Sequence, residues 1–164
     1  QKYTECTIRD NDADFYDKLS GKWTMNTASG AVPVNLVAGD EETAAYNSYY
    51  ILEGLGQGYV EYQVNYFFDM ETQTGHLELP YGQIGGTVNF SDLGAMDVAL
   101  GGALPDNYIT INRTVTMTWD ETLTTLNLID SADEVPSFIL LLFKNGQFQG
   151  YSWMSYDNVT SFTR

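Results

Sequence analysis

The chain has 164 residues, 22 of them acidic against 7 basic, giving a formal net charge of −15. That length amounts to one domain, and with 43% hydrophobic residues it can bury a core, so residues 1–164 are read as a single domain. A negative field of this size repels phosphate backbones, so nucleic acid is excluded as the expected partner, and no apolar run reaches the roughly 18 residues of a membrane span.

Aromatic residues make up 14% of the chain, with 12 Tyr, and suit half-buried pleated surfaces better than helices. Residues 1–10 lack periodicity and read as a tail or an edge strand. Cys6 is the lone cysteine, so no internal disulfide exists and no bridge framework supports the fold. Asp10-Asn11-Asp12-Ala13-Asp14 opens like a calcium loop, but Phe15 stands where the loop needs Gly and Gly21 where it needs Glu. The acidic run is therefore read as a helix cap, and no metal is expected. Asp14 to Leu19 predicts one short helical turn, released at Gly21.

From there strands recur without a second helix. Lys22 to Ala28 is the first and Ala44 to Glu53 the next. Tyr59 to Phe68 is the clearest, with Val60, Tyr62, Val64, Tyr66 and Phe68 on one face and Glu61, Gln63 and Asn65 on the other. Tyr59 and Phe67 break the alternation. Gly75 to Tyr81, Thr87 to Phe90, Ala95 to Leu100, Tyr108 to Asn112 and Thr114 to Trp119 follow. Thr122 to Ile129 returns from a tight turn. Ser137 to Lys144 and Gln147 to Tyr156 flank Asn145-Gly146, a strong type I′ hairpin signal, and Val159 to Thr163 closes the chain. Leu140, Leu141 and Leu142 are consecutive, so their strand is apolar on both faces and is either central or packed on a partner.

About ten strands without intervening helices mean an antiparallel barrel or a β-sandwich. No catalytic residue is assigned. His76, the only histidine, lies in a strand without a nucleophile motif and reads as solvated. Asp40 to Glu42 and Asp130 to Glu134 read as solvated loops. No glycine cluster opens a helix to cradle a phosphate, so no cofactor is expected. The chain starts without an apolar signal segment, and its Lys-poor, Asn- and Thr-rich character favours an exported protein whose signal has been removed, periplasmic, secreted or at the cell surface.

The segment Asp17-Lys18-Leu19-Ser20-Gly21-Lys22-Trp23 resembles the start of a lipocalin or calycin barrel. In that family a short helical turn leads into Gly-x-Trp on the first strand, and the Trp packs beneath an Arg from the end of the barrel. The resemblance implies that Gly21, Trp23 and Arg164 close one end of an up-and-down antiparallel barrel. The stretch from Phe68-Asp69 through Thr74-Gly75 to Gly82-Gln83 is similar to lipocalin-like cell-surface proteins of gut Bacteroidetes, which are exported. The chain departs from the lipocalin pattern in lacking a Thr-Asp-Tyr turn and a C-terminal helix.

Two functions follow. The preferred one is a non-enzymatic barrel that holds a small hydrophobic or amphipathic ligand among Val60, Tyr62, Val64, Tyr66, Phe68, Tyr151 and Trp153; the same residues also suit a dry core. The alternative is a β-sandwich surface module that uses Tyr46, Tyr49, Tyr50 and Trp119 to bind a glycan or a partner protein. The sequence names no partner protein.

Overall fold

Apolar residues at every second position give each segment one face to bury. The computed structural model, which describes residues 15–103 and 108–164, turns these segments into strands. A helical turn over residues 15–19 leads into β1 (Gly21–Thr27), β2 (Gly30–Ala38), β3 (Tyr49–Glu53), β4 (Glu61–Asp69), β5 (Thr74–Pro80), β6 (Ile84–Phe90) and β7 (Gly94–Ala103). The rest of the chain supplies β8 (Ile109–Thr110), β9 (Thr114–Trp119), β10 (Thr125–Asp130), β11 (Phe138–Lys144), β12 (Gln147–Tyr156) and β13 (Ser161–Thr163). No helix among the described residues is long and apolar enough to cross a membrane. Residues 1–10, Cys6 and the acidic run Asp10 to Asp14 lie outside the described residues.

Eight strands, β1, β2, β3, β4, β5, β9, β10 and β13, form a closed antiparallel barrel in which each pairs with the next in chain order and β13 returns to β1. The fold is therefore all-β, as the sequence implied, and an up-and-down barrel, as the resemblance implied. It is more than a barrel, however. The chain leaves the wall twice, after β5 and after β10, and these excursions build a second sheet of order β12-β11-β7-β6 with β8 paired to β7. Alternation reveals which face of a strand is buried but not which strand lies beside it, so the second sheet had no sequence signal.

Several strand boundaries differ from expectation, two of the differences lying in β2 and β3. The sequence reading missed β2, because Pro33 interrupts it. Pro33 pairs with Thr24 of β1 and lies beyond the Asn35–Ala38 stretch that pairs with β3, where a missing N–H is tolerated. Residues 44–48 are turns rather than strand, and Tyr46 packs edge-on against Tyr16. The Asn145-Gly146 turn has φ of 54° and 78°, as a type I′ turn requires. Leu140, Leu141 and Leu142 are all buried because β11 is central, between β7 and β12.

An eight-stranded barrel is just wide enough for side chains to fill, and both of its ends are closed. At one end, the Tyr16 hydroxyl donates to the Tyr49 carbonyl (2.7 Å) and accepts from the Gly39 N–H (2.7 Å). Its ring stacks on Tyr50, whose own hydroxyl donates to the Tyr16 carbonyl at 2.5 Å. At the other end lies the second sheet. The Tyr62 hydroxyl reaches across to the Val98 carbonyl of β7 (3.1 Å), and that of Tyr156 accepts from the Gly56 N–H (3.0 Å). Close approach requires glycine at Gly85 and Gly102, where a Cβ would meet the rings of Tyr62 at 2.6 Å and Tyr81 at 2.4 Å.

Burial pushes the hydroxyls of Tyr50, Tyr62 and Tyr81 above the ordinary tyrosine range. The unfolded chain then ionises first, near pH ~10, so this stability is complete below that pH and falls as the pH rises above it. Denaturant titrations should show stability dropping beyond pH ~10, with the tyrosinate absorbance of the buried tyrosines appearing together with unfolding, and with a shallower drop for Tyr50→Phe. Tyr16→Phe should cost about 1–3 kcal/mol by leaving the Gly39 N–H and the loop carbonyls without their partner. Tyr151→Phe, at an exposed position, should cost almost nothing in the same titration.

Candidate functional site

The helical turn meets the barrel through Phe15 and Tyr16, and β1 returns the contact through Trp23. Gly21 enters β1 at φ 110°, a conformation open to glycine, and turns Trp23 inward until its ring is only 3% exposed. Its indole Nε1 donates to the Leu19 carbonyl (2.8 Å), and the Arg164 guanidinium lies 4.1 Å from the ring centroid. The guanidinium also donates to the carbonyls of Leu123 (3.1 Å), Ser20 (3.0 Å) and Lys18. Arg164 thus ties the β9–β10 turn, the helical turn and Trp23 together. Burial lowers its pKa from the usual arginine value.

Beside this closure the barrel wall carries a groove of about 820 Å³, larger than the three depressions around Phe67, Trp119 and Trp153. Trp23, Val34 and Val60, almost buried, line it from the barrel side. Four of its polar residues come from one cross-strand row, Lys22 opposite Asn35, Asn35 opposite Glu53, and Glu53 opposite Glu61, and Thr24 and Arg164 join them. Tyr59 stands at its rim, 67% exposed. Apolar surface below and both signs of charge above make the groove amphipathic.

The structure scatters the expected ligand-lining set. Val60 lines the groove. Tyr62, Val64 and Tyr66 are buried in the barrel core, and Phe68 lies at the helical-turn end, stacked on Phe15 at 4.9 Å. Tyr151 and Trp153 are a correction. Both belong to β12 of the second sheet, not to the barrel wall, and Tyr151 is 54% exposed. The spacing of β12 resembles that of a barrel strand, but its partner is β11. The alternative aromatic patch is not a free surface either. Tyr50 is buried, Tyr46 packs on Tyr16, and Trp119 stacks near Tyr66 and Phe15.

Two polar expectations also change. Asp130 is not part of a solvated loop. It is 5% exposed, meets Arg113 at 2.9 Å, and accepts from the N–H groups of Ala132 and Glu134. His76 is partly exposed but not alone. Its Nε2 lies 2.7 Å from Glu78 Oε2, and its ring stacks on Phe67.

Protein-family models, curated proteins and solved structures were compared with the chain, and none matches. The site must be read from its own chemistry. Sequence reasoning passed over Lys22, Asn35, Glu53 and Glu61, whose shared row exists only once β1, β2, β3 and β4 pair. Tyr59 did leave a signal, as an aromatic residue that broke the alternation of its segment.

Trp23→Ala should cost about 3–5 kcal/mol through the cavity it leaves, well above Trp119→Ala on the half-buried end of β9. A double-mutant cycle of Trp23→Ala with Arg164→Ala, measured by denaturant unfolding, should show coupling of about 0.5–2 kcal/mol.

Proposed function

We propose that this chain is a non-enzymatic binding protein of lipocalin-like build, exported from the cell, whose seat for a small amphipathic molecule is the groove on the outside of the barrel wall. The observation that carries this reading is the groove itself. Its volume of about 820 Å³ falls in the range of roughly 300–1,000 Å³ typical of small-molecule sites. Its lining joins Trp23, Val34 and Val60 to Lys22, Asn35, Glu53 and Glu61. An apolar ligand body would lie along Tyr59 and Pro33, the exposed apolar residues of the lining, and a polar or charged head would meet Lys22, Asn35, Glu53 and Glu61.

The lipocalin-like build is supported by three features together: the turn leading into Gly21-Lys22-Trp23, the Arg164 guanidinium over Trp23, and the eight-stranded closed barrel. Export is supported by the similarity of the Phe68 to Gln83 stretch to cell-surface proteins and by the Lys-poor composition. The groove is favoured over the barrel interior because Tyr62, Val64 and Tyr66 already fill that interior with their own contacts.

A thermal-shift screen of fatty acids, bile acids and aromatic metabolites tests the proposal. A ligand at 100 times its Kd adds about 2.7 kcal/mol, a rise of roughly 5–10 °C for a domain of this size. Asn35→Trp, which fills the groove from an outward position, should abolish the shift, whereas Tyr66→Phe in the barrel core should retain it. A shift that survives Asn35→Trp and is lost in Tyr66→Phe would move the ligand into the barrel.

A further inference from the structure

Side chains from the two outer strands of the second sheet meet across its face. Phe90 of β6 and Trp153 of β12 come to 5.3 Å, edge to face, although β7 and β11 lie between their strands. Tyr59, at the end of the β3–β4 connection, leans over Trp153 at 6.4 Å and 48°. These rings enclose a depression of about 460 Å³, lined also by Thr87, Val88 and Asn89.

Trp153 is held in place from beneath. A Cβ at Gly56 would lie 2.8 Å from its ring and 3.2 Å from Leu140, so the backbone there packs directly against the indole. With Phe90 edge-on, the ring presents a fixed face, and little rotamer entropy remains to be lost when a ligand stacks on it. Tyr59, 67% exposed, supplies a second face.

The polar groups are all neutral. Asn89 and Thr87 are exposed, and the Thr87 hydroxyl donates to Asp97 at 2.7 Å, which leaves its oxygen free to accept. Among the described residues β6 pairs only with β7, so the N–H and C=O groups on its other edge are also open. No charged side chain lines the depression. A purely apolar ligand would bury Asn89, Thr87 and this backbone edge without partners, at a cost. An anionic ligand would find no cation there, in a chain of net charge −15.

We propose that Tyr59, Phe90 and Trp153, with Asn89 and Thr87, form a second binding site whose ligand is a neutral saccharide. The weakly positive C–H face of a sugar ring complements the negative faces of the indole and phenol rings. Its hydroxyls match the open backbone edge of β6, and around that edge the amide of Asn89 and the oxygen of Thr87, which alternate with Phe90 and stand on the other face of the strand. The site shares Tyr59 with the groove but not Asn89, so the two sites can be tested separately.

Affinity electrophoresis of the whole chain provides the test, in native gels containing hydroxyethylcellulose, galactomannan, xylan or polygalacturonate. At least one neutral polysaccharide should retard the wild type, and polygalacturonate should not. Tyr59→Ala and Asn89→Ala, both exposed and expected to keep the circular dichroism spectrum of the parent, should weaken retardation about three- to tenfold. Phe67→Ala, an exposed ring on the barrel, and Asn35→Trp, in the groove, should leave it unchanged. The proposal is overturned if no neutral polysaccharide retards the chain, if polygalacturonate alone does, or if Asn89→Ala has no effect. Loss of retardation in Asn35→Trp together with an unaffected Asn89→Ala places the sugar in the groove and also overturns the proposal. A groove that binds no amphipathic molecule leaves this result untouched.

Discussion

β13 contributes only Ser161–Thr163, yet its pairing on both sides removes the two edges that β1 and β10 would otherwise expose. Open strand edges invite pairing with other chains, and barrel closure is the one arrangement that abolishes them. The joint is reinforced by side chains. Asn26 of β1 donates to the hydroxyls of Ser161 (3.1 Å) and Thr163 (3.0 Å), and Phe162 between them is fully buried. Arg164 then continues onto Trp23 and three backbone carbonyls. A short strand thus holds the ring because its neighbours bond it in several ways at once.

Closure also determines where binding can occur. A closed eight-stranded wall leaves little lumen, and here large tyrosines occupy what there is. Their hydroxyls are satisfied by backbone groups at the two ends, Tyr50 on the Tyr16 carbonyl and Tyr62 on the Val98 carbonyl. A tyrosine anchored at both ring and hydroxyl is costly to displace, because a moved ring loses packing and its buried hydroxyl loses a partner. Space for a ligand therefore lies where the wall departs from regularity. The β3–β4 connection, residues 54–60, is that departure, and it borders both the 820 Å³ groove and the aromatic depression.

The charge distribution fits this arrangement. The chain carries a net charge of −15, yet the strands bordering the aromatic depression, Ile84–Phe90 and Gln147–Tyr156, contain no charged residue. The groove by contrast carries Lys22 and Arg164 with Glu53 and Glu61. Two concavities sharing Tyr59 therefore differ in electrostatic character, one neutral and one mixed, which suits them to different ligands.

The sequence by itself determined the local elements: the helical turn before Gly21, the inward face from Val60 to Tyr66, the Asn145-Gly146 turn and the apolar character of both faces at Leu140 to Leu142. Each rests on contacts or backbone angles within a few residues, which composition and period record directly. The approach of Arg164 to Trp23 came from resemblance rather than from spacing. Only the tertiary structure decided which strands share a sheet, and this removed Tyr151 and Trp153 from the barrel and placed Trp153 beside Phe90 and Tyr59. It also decided that Asp130 is buried against Arg113 and that Lys22, Asn35, Glu53 and Glu61 form one row. A period of two specifies a face and carries no information about neighbours distant in sequence, and both candidate sites are made of such neighbours.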